Sequence, residues 1–473
     1  MISLFISYLP YLLIGYFLFR SYKNPIFIMG IPYLMFFGPS LFFENLSLFV
    51  IPFRSFDSIA KSADLLLFTW LVLCWIIFRV RTIQDPQNIL KIKFIGKKTN
   101  LVDYTIFFLM LITCIGLGIV LTEYYAIYNV FDKFFILISM FLGFFIIKDV
   151  ALNTELESLE KFLVNIVLLN SFAAVLYLIH QGLHIDIYTS DMEYQTEIVN
   201  GQIITRTFWF MPVLLLFSVS FLLAFRKKNI FLAYGLILIN MLAVFITYTR
   251  SLLLNAVLVF IFFFLLIGLK NKSIWNTIRG IVVISTAGFV LFLLVSTVLP
   301  ANTEYFLSRF KDLKEKPVDA KSNNLVYRFY KTDNVVNKMN TAKTLFGYGP
   351  VTESQTPFVK IVDAAATDMV WAEIVFRWGM VGSILFIFLY LYSVFFALRI
   401  FMFNEGIVSQ LALGFLLTLV SQLIEGLTSI TILTPNRIPL SLWAFGVLSA
   451  LSVTLNIDQK EKNQKANQPE VVF

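Results

Sequence analysis

Charged residues are scarce in this sequence: Asp, Glu, Lys and Arg make up 14% of its 473 residues, against about 25% in a typical soluble protein. Sulfur and imidazole ligands are scarcer still, with two cysteines and two histidines. Cys74 and Cys114 lie inside apolar runs, so neither a disulfide scaffold nor a thiolate metal site is expected. His180 and His184 are four residues apart, but no glutamate on that helix completes a zinc signature, so no metal site is predicted. A Walker motif is also absent from the sequence, which argues against an enzyme driven by nucleotide.

Apolar residues dominate what remains. They make up 59% of the chain, and the mean hydropathy is +0.82; both values are typical of an integral membrane protein. A helix needs roughly 20 mainly apolar residues to cross a bilayer. The candidate spans lie at about 2–19, 26–43, 63–80, 101–121, 134–148, 161–180, 207–225, 230–248, 251–269, 280–299, 379–398, 407–427 and 438–455. The sequence therefore predicts an all-α fold, a polytopic membrane bundle of about 12–14 transmembrane helices.

The distribution of cations predicts the orientation of this bundle. With the N-terminus outside, 20 of the 37 Lys and Arg residues fall in the cytoplasmic connections and tail, as the positive-inside rule requires. We divide the chain into ten transmembrane helices over 1–299, an outer loop over 300–378, three more transmembrane helices over 379–455, and a disordered cytoplasmic tail over 456–473. The tail is polar, which is typical of disorder.

Two segments on the predicted outer face are too polar to span the membrane. One covers 181–206 and the other is the loop 300–378. Within the loop, Val326, Phe329 and Val336 recur at roughly helical spacing, which predicts an amphipathic helix lying against the membrane part. Patterned loops of this length are usually functional, so we expect the chemistry on this face.

Several arginines collect in or beside these outer segments, namely Arg206, Arg250, Arg328, Arg377 and Arg437. A guanidinium stays charged and binds phosphate oxygens through a planar fork of donors. A lipid-linked pyrophosphate presents its charge at this depth, and arginines can stabilise the charge that grows on it as it leaves. Each arginine could instead snorkel to the lipid headgroups. Snorkelling explains Arg250 least well, because this residue begins a helix after the tight turn "TYTRS".

The segment 344–386 holds the next candidates. Gly347 and Gly349 allow a tight turn with a close backbone approach, although such a pair by itself indicates only a turn. Asp368 precedes an apolar helical pattern and could act as its N-cap or as a general base. Glu373 and Arg377 are four residues apart, the spacing of an ordinary helical ion pair.

Tyrosines near these residues could offer flat faces to sugar rings. Tyr248 lies in "TYTRS", and Tyr330 and Tyr348 lie in the outer loop. The loop tyrosines could equally pack the loop on the bilayer, so both interpretations stay open.

Three stretches in combination resemble the bacterial O-antigen polymerase and O-antigen ligase superfamily, which includes the Wzy-type polysaccharide polymerases. "TYTRSLLLNAVLVF" resembles its Arg-plus-Ser helix start, and "YRFYKTDNVVNKMNTAKTLFGYGP" resembles the arginine, helix and Gly-x-Gly of its long periplasmic loop. "TDMVWAEIVFRWGMVGS" resembles the segment that closes this loop and re-enters the membrane. The three occur in the family's order, within 206–386.

The resemblance implies a fold similar to other polytopic glycosyltransferases that use polyprenyl-linked donors (GT-C-like), with a large periplasmic loop carrying amphipathic helices. It implies an enzyme of the bacterial inner membrane that acts on the periplasmic face without metal or cofactor. Arg250 and Arg328 would contact the pyrophosphate of the donor, with Arg206 assisting, and Asp368 would accept a proton from the acceptor or orient it. The other residues of the predicted substrate site are Tyr248, Tyr330, Gly347, Gly349, Glu373, Arg377 and Arg437.

The expected function is a surface polysaccharide polymerase that joins undecaprenyl-pyrophosphate-linked repeat units, one as donor and one as acceptor, by inverting transfer. Ligases of the family typically carry a histidine where this sequence has Asp368, which argues against a ligase that moves finished glycan onto a lipid core or protein. A flippase for lipid-linked sugars should show cations along a central cavity and often an internal repeat, and no such repeat is evident. The bilayer is the other expected partner, a chain-length regulator protein is left open, and no nucleic acid is expected.

Overall fold

The computed structural model describes the later two thirds of the chain most fully. The described residues are 99–123, 127–183, 195–199, 202–206, 211–227, 229–247, 249–298, 303–308, 341–350, 370–426 and 443–455, with residues 300 and 441 and short pieces before residue 77. The predicted spans at 2–19, 26–43 and 63–80 lie largely outside this part, as do the amphipathic helix expected near 326–339 and the tail 456–473.

Helices make up nearly all of the described chain. In order they are α1 (Leu101–Glu123), α2 (Ile127–Leu152), α3 (Leu156–Leu183), α4 (Met211–Phe225), α5 (Ile230–Ile246), α6 (Arg250–Lys270), α7 (Ile274–Val298), α8 (Thr341–Phe346), α9 (Val370–Phe403), α10 (Gly406–Gly426) and α11 (Trp443–Leu455). Within the described residues, α1, α3, α6, α7, α9 and α10 are long and apolar enough to cross a membrane. The predicted polytopic all-α membrane fold is confirmed.

Two helices extend well beyond the apolar runs that predicted them. The run at 134–148 lies inside α2, which covers Ile127–Leu152. The run at 379–398 lies inside α9, which begins nine residues earlier, at Val370, and contains a kink at Gly379. Hydropathy detects the apolar centre of a span, whereas a helix continues for as long as its backbone hydrogen bonds can form.

A β-hairpin occupies part of the outer segment 181–206, which the sequence analysis left without secondary structure. Strands β1 (Gln195–Val199) and β2 (Gln202–Arg206) pair antiparallel, with Gln195 opposite Arg206. Arg206 is therefore the last residue of β2, and α4 begins five residues later.

The centre of the bundle is formed by α10, which packs against α3, α4, α6 and α9. Aromatic rings fill the contacts of α4: the rings of Phe221 and Phe415 lie edge to face with centroids 5.0 Å apart, and Phe217 contacts Trp443 at 5.9 Å. Such pairs stabilise a packed core beyond the area that they bury. The helices that carry the candidate site are therefore held by a common core.

A polar cluster joins α1, α2 and α11 at one end of the bundle. Asn100 and Asp103 cap α1 reciprocally: the Asp103 carboxylate accepts from the Asn100 N–H at 2.6 Å, and the Asn100 side-chain oxygen accepts from the Asp103 N–H at 3.3 Å. The buried Lys148 ammonium donates to the same carboxylate. The Asn100 amide also donates to the hydroxyls of Ser449 and Ser452, each at 2.8 Å. Asp103 is therefore paired, which accounts for a carboxylate at this depth.

Candidate functional site

Most of the candidate residues lie in two stretches, one at the start of α6 and one that leads into α9. Both helices start on the same face of the bundle. At the opposite face, the Lys270 ammonium at the end of α6 donates to the carbonyls of Phe401 and Asn404, both at 2.7 Å, and to the hydroxyl of Ser409 at 2.6 Å. These bonds bring together the end of α6, the end of α9 and the start of α10. Because α6 and α9 are both antiparallel to α10, Arg250 and the beginning of α9 are both on the other face.

Arg250 is the first residue of α6, directly after a tight connection from α5. Thr247 caps the end of α5 and Thr249 is the N-cap of α6, so the connection between the two helices is the three residues 247–249. Among the described residues, the Thr249 side chain makes no capping hydrogen bond to the first N–H groups of α6. The start of α6 thus combines helix N-terminal N–H groups that the Thr249 side chain does not bind, the positive end of a helix dipole and an arginine, the features that favour an anion.

The Gly347–Gly349 turn docks on the kink of α9. Gly347 and Gly349 both have positive φ, at 77° and 75°. The N–H groups of Tyr348 and Gly349 donate to the carbonyls of Phe376 and Arg377, at 2.7 and 3.0 Å. In an unbroken helix these carbonyls would accept from N–H groups four residues later, and the kink at Gly379 (φ 62°, ψ −163°) interrupts that pattern.

Glycine is required here because backbones touch. A Cβ on Gly347 would lie 2.3 Å from the Arg377 carbonyl oxygen, and one on Gly379 would lie 2.5 Å from that of Leu345. A Cβ on Gly349 would lie 2.5 Å from the carbonyl oxygen of Gly116 in α1. Real Cβ atoms do not approach so closely, so the end of the loop is fixed to α9 and α1 through main-chain atoms.

Side chains around this turn are stacked and buried. The Tyr348 ring, 4% exposed, is stacked on Phe376 with centroids 4.9 Å apart, and the Lys343 ammonium lies 5.0 Å from the Tyr348 ring centroid. The Tyr348 ring therefore packs inside the protein against Phe376 and has little surface to offer a sugar. Lys343, itself 7% exposed, is a cation beside the turn that sequence reasoning did not select.

Trp378 anchors the kinked part of α9 in the core. Its indole N–H donates to the hydroxyl of Thr113 at 2.8 Å, and its ring contacts Phe386 at 4.7 Å and Phe141 at 6.4 Å. Arg377, the preceding residue, is half-buried. Its position on the helix is thus set by the buried tryptophan beside it and by its carbonyl bond to Gly349.

A buried carboxylate lies on the same face as Arg250. Glu425 is in the last turn of α10 and is 6% exposed. One turn before it, Ser421 accepts from the Asn255 amide at its carbonyl (2.9 Å) and its hydroxyl (3.1 Å). Ionisable groups at this depth are candidates for function. Glu425 lies within the apolar run 407–427, but its place near the start of α6 depends on helix packing.

The structure places part of the predicted site and leaves the rest as predictions. Gly347, Gly349 and Arg377 come together through the hydrogen bond described above. Arg206, Arg250 and Glu373 are placed by their backbones at the end of β2, the start of α6 and the first part of α9. The candidates outside the described residues are Tyr248, Arg328, Tyr330, Asp368 and Arg437.

The fold defines a multi-pass α-helical membrane protein, with Arg250 and the start of α9 on one face. Residues 233–387 match a family model described as O-antigen ligase. This match supports a resemblance of this part of the chain to the O-antigen ligase and polymerase superfamily. Members of the family are glycosyltransferase-like enzymes, ligases and polymerases. A search of curated proteins found no match.

The matched range, about a third of the chain, begins within α5 and ends within α9. It includes the start of α6, the glycine turn and the kink of α9, together with Arg328 and Asp368 from the loop. Arg206 and Arg437 lie outside it, so the family match gives these two arginines no support.

Proposed function

We propose that this protein is a polymerase of O-antigen or a related surface polysaccharide. It joins undecaprenyl-pyrophosphate-linked oligosaccharide repeat units in the bacterial inner membrane. The observation that carries the proposal is that one matched domain contains Arg250, Arg328 and Asp368 and that Arg250 lies on the same face as the docked glycine turn. A glycosyltransferase with a pyrophosphate leaving group needs such a collection of cations where the donor charge lies.

The charge distribution supports a periplasmic active site. The face opposite Arg250 carries Arg226, Lys227, Lys270, Arg279 and Arg399, whereas the described α5–α6 connection, Thr247 and Thr249, carries no charge. Cations concentrate on the cytoplasmic side of membrane proteins. We therefore assign the Arg250 face to the periplasm.

In the proposed reaction, a hydroxyl oxygen of the acceptor sugar attacks the anomeric carbon of the donor with inversion. The bond from that carbon to the pyrophosphate oxygen breaks, and undecaprenyl pyrophosphate leaves with the electron pair. Arg250, Arg328 and the N–H groups that begin α6 stabilise its growing charge. Asp368 accepts the proton from the attacking hydroxyl. Arg206, Arg377 and Lys343 add positive charge near the site.

A ligase is the second candidate, because the matched family model is described as O-antigen ligase. A ligase transfers finished glycan from the carrier to a lipid core or a protein. The two functions differ in what accumulates when the gene is lost: long carrier-linked chains without a ligase, and single carrier-linked repeat units without a polymerase.

Incubating the purified protein with lipid-linked repeat units in detergent tests the proposal directly. We expect longer carrier-linked glycans to appear, since both substrates can reach the site without vesicles. Mass spectrometry of the extracted lipid-linked glycans measures the result. A flippase or transporter would leave the repeat units unchanged in detergent, and a ligase would require an added lipid-core or protein acceptor.

Replacing Asp368 with asparagine is expected to slow chain growth by about 100-fold, within the range for loss of a general base. The initial rate in the same detergent assay measures this. Glu425→Gln is the matched comparison, because it removes the buried carboxylate on α10. If Glu425→Gln abolished chain growth while Asp368→Asn left it unchanged, the base would be Glu425 and our assignment to Asp368 would be wrong.

A further inference from the structure

A polar cavity lies at the end of the bundle opposite Arg250. It has a volume of about 320 Å³ and lies between the end of α4, the end of α6 and the α9–α10 connection. The charged residues that line it are Arg226, Lys227, Lys270 and Glu405. Three cations against one carboxylate give the cavity a net positive charge, and its volume is within the usual range for ligand sites.

Lys270 lines this cavity but has no N–H donor left for a ligand. Its three N–H groups are taken by the Phe401 and Asn404 carbonyls and the Ser409 hydroxyl, and its ammonium lies 4.6 Å from the centroid of the Phe401 ring. Lys270 therefore fixes the α9–α10 connection against α6, while its charge remains in the cavity wall.

Arg226 and Lys227 are the cations with donors to offer. The Arg226 guanidinium lies 5.1 Å from the centroid of the Phe263 ring, and one of its N–H groups reaches the Tyr234 hydroxyl at 3.5 Å. Within the described part of the chain, its other N–H groups make no hydrogen bond, and Lys227 is exposed beside it. A guanidinium held by ring stacking with its fork available is suited to phosphate oxygens.

The rest of the wall indicates what carries the phosphate. Leu223, Phe263, Ile267 and Leu413 give the same cavity an apolar side. The apolar helices α4 and α6 end here, and the end of an apolar span is where the membrane surface is expected. A basic pocket between transmembrane helices at this level suits an anionic lipid headgroup with its acyl chains beside it. We propose that this cavity binds the phosphate of an anionic phospholipid in the leaflet opposite the glycan site.

Titrating the full-length protein in detergent with phosphatidylglycerol and with phosphatidylethanolamine, followed by native mass spectrometry, tests this proposal. We expect tighter binding of phosphatidylglycerol, and we expect Arg226→Gln/Lys227→Gln to weaken it roughly tenfold or more. The single change Lys227→Gln alters an exposed side chain, so that variant will fold, and we expect a smaller weakening from it. Glycan synthesis is not part of the measurement, so the result is independent of the proposed function.

The control variant Arg279→Gln/Arg399→Gln removes two exposed cations from the same face but outside the cavity. We expect it to bind phosphatidylglycerol as the wild type does. Equal weakening in both double variants would show a diffuse effect of surface charge and overturn the proposal, as would equal affinity of the wild type for the two lipids. If glycerol phosphate or inorganic phosphate raised the unfolding temperature as much as phosphatidylglycerol did, the ligand would be a soluble phosphate and not a lipid.

Discussion

Replacing Arg250 with alanine is expected to abolish long polymer and to lower the rate of chain growth about 1000-fold. Arg250 begins α6, where the first N–H groups and the positive end of the helix dipole already favour an anion. Removing a charge-stabilising donor from a transition state typically costs about 100- to 1000-fold, and here a full positive charge is lost with it. Glycan length on gels and the initial rate in detergent measure the effect.

The lysine variant separates the charge from the geometry. Arg250→Lys keeps a positive charge but loses the planar fork that binds two phosphate oxygens, so we expect a partial defect. Arg279→Ala, an exposed arginine on the opposite face, is the matched control and should leave polymer length unchanged. Full-length polymer from Arg250→Ala at a normal protein level would remove Arg250 from the donor site.

Replacing Gly349 with valine is expected to prevent stable folding of the loop end, at a cost of about 3 kcal/mol or more. Positive φ costs a residue with a Cβ about 1–2 kcal/mol, and overpacking adds about 1–3 kcal/mol. The atom that a Cβ would strike is the Gly116 carbonyl oxygen, at 2.5 Å. Because this is backbone within a helix, no rotamer change can relieve the contact.

Two alanine substitutions on α1 provide the control. Gly116 and Gly118 are two residues apart, but a Cβ on Gly116 would lie 2.8 Å from Gly349 Cα, whereas a Cβ on Gly118 has nothing within 4 Å. We expect Gly116→Ala to lower the unfolding temperature in detergent and Gly118→Ala to leave it unchanged or raise it, since alanine favours helices. A Gly349→Val protein with the wild-type unfolding temperature would contradict the docking of the turn.

The apolar spans could be predicted from the sequence because each depends on a local property, a run of about 20 apolar residues. The start of α9 at Val370 could not be, because Glu373 and Arg377 lower the hydropathy ahead of Gly379. The hairpin did have a signal: Asn200-Gly201 separates the two strands, and Asn-Gly is the strongest short-range sign of a hairpin.

The site shows the same division between local and distant information. A tight turn with a close backbone approach at Gly347 and Gly349 was predicted from the glycines themselves. Their partners were not: Gly116 lies more than two hundred positions away in the chain, and a single sequence carries no record of which distant segments touch. The pairing of Lys148 with Asp103 across two helices could not be predicted from the sequence for the same reason, nor could the burial of Lys343.

The interlocked glycines have a consequence for altering specificity. Main-chain contacts at these glycines fix the end of the loop to α9 and α1, beside the buried stack of Tyr348 on Phe376. An engineer who wished to change the accepted sugar could vary side chains elsewhere in the loop and leave these four glycines alone. The protein therefore separates the part that fixes the geometry from the parts that are open to redesign.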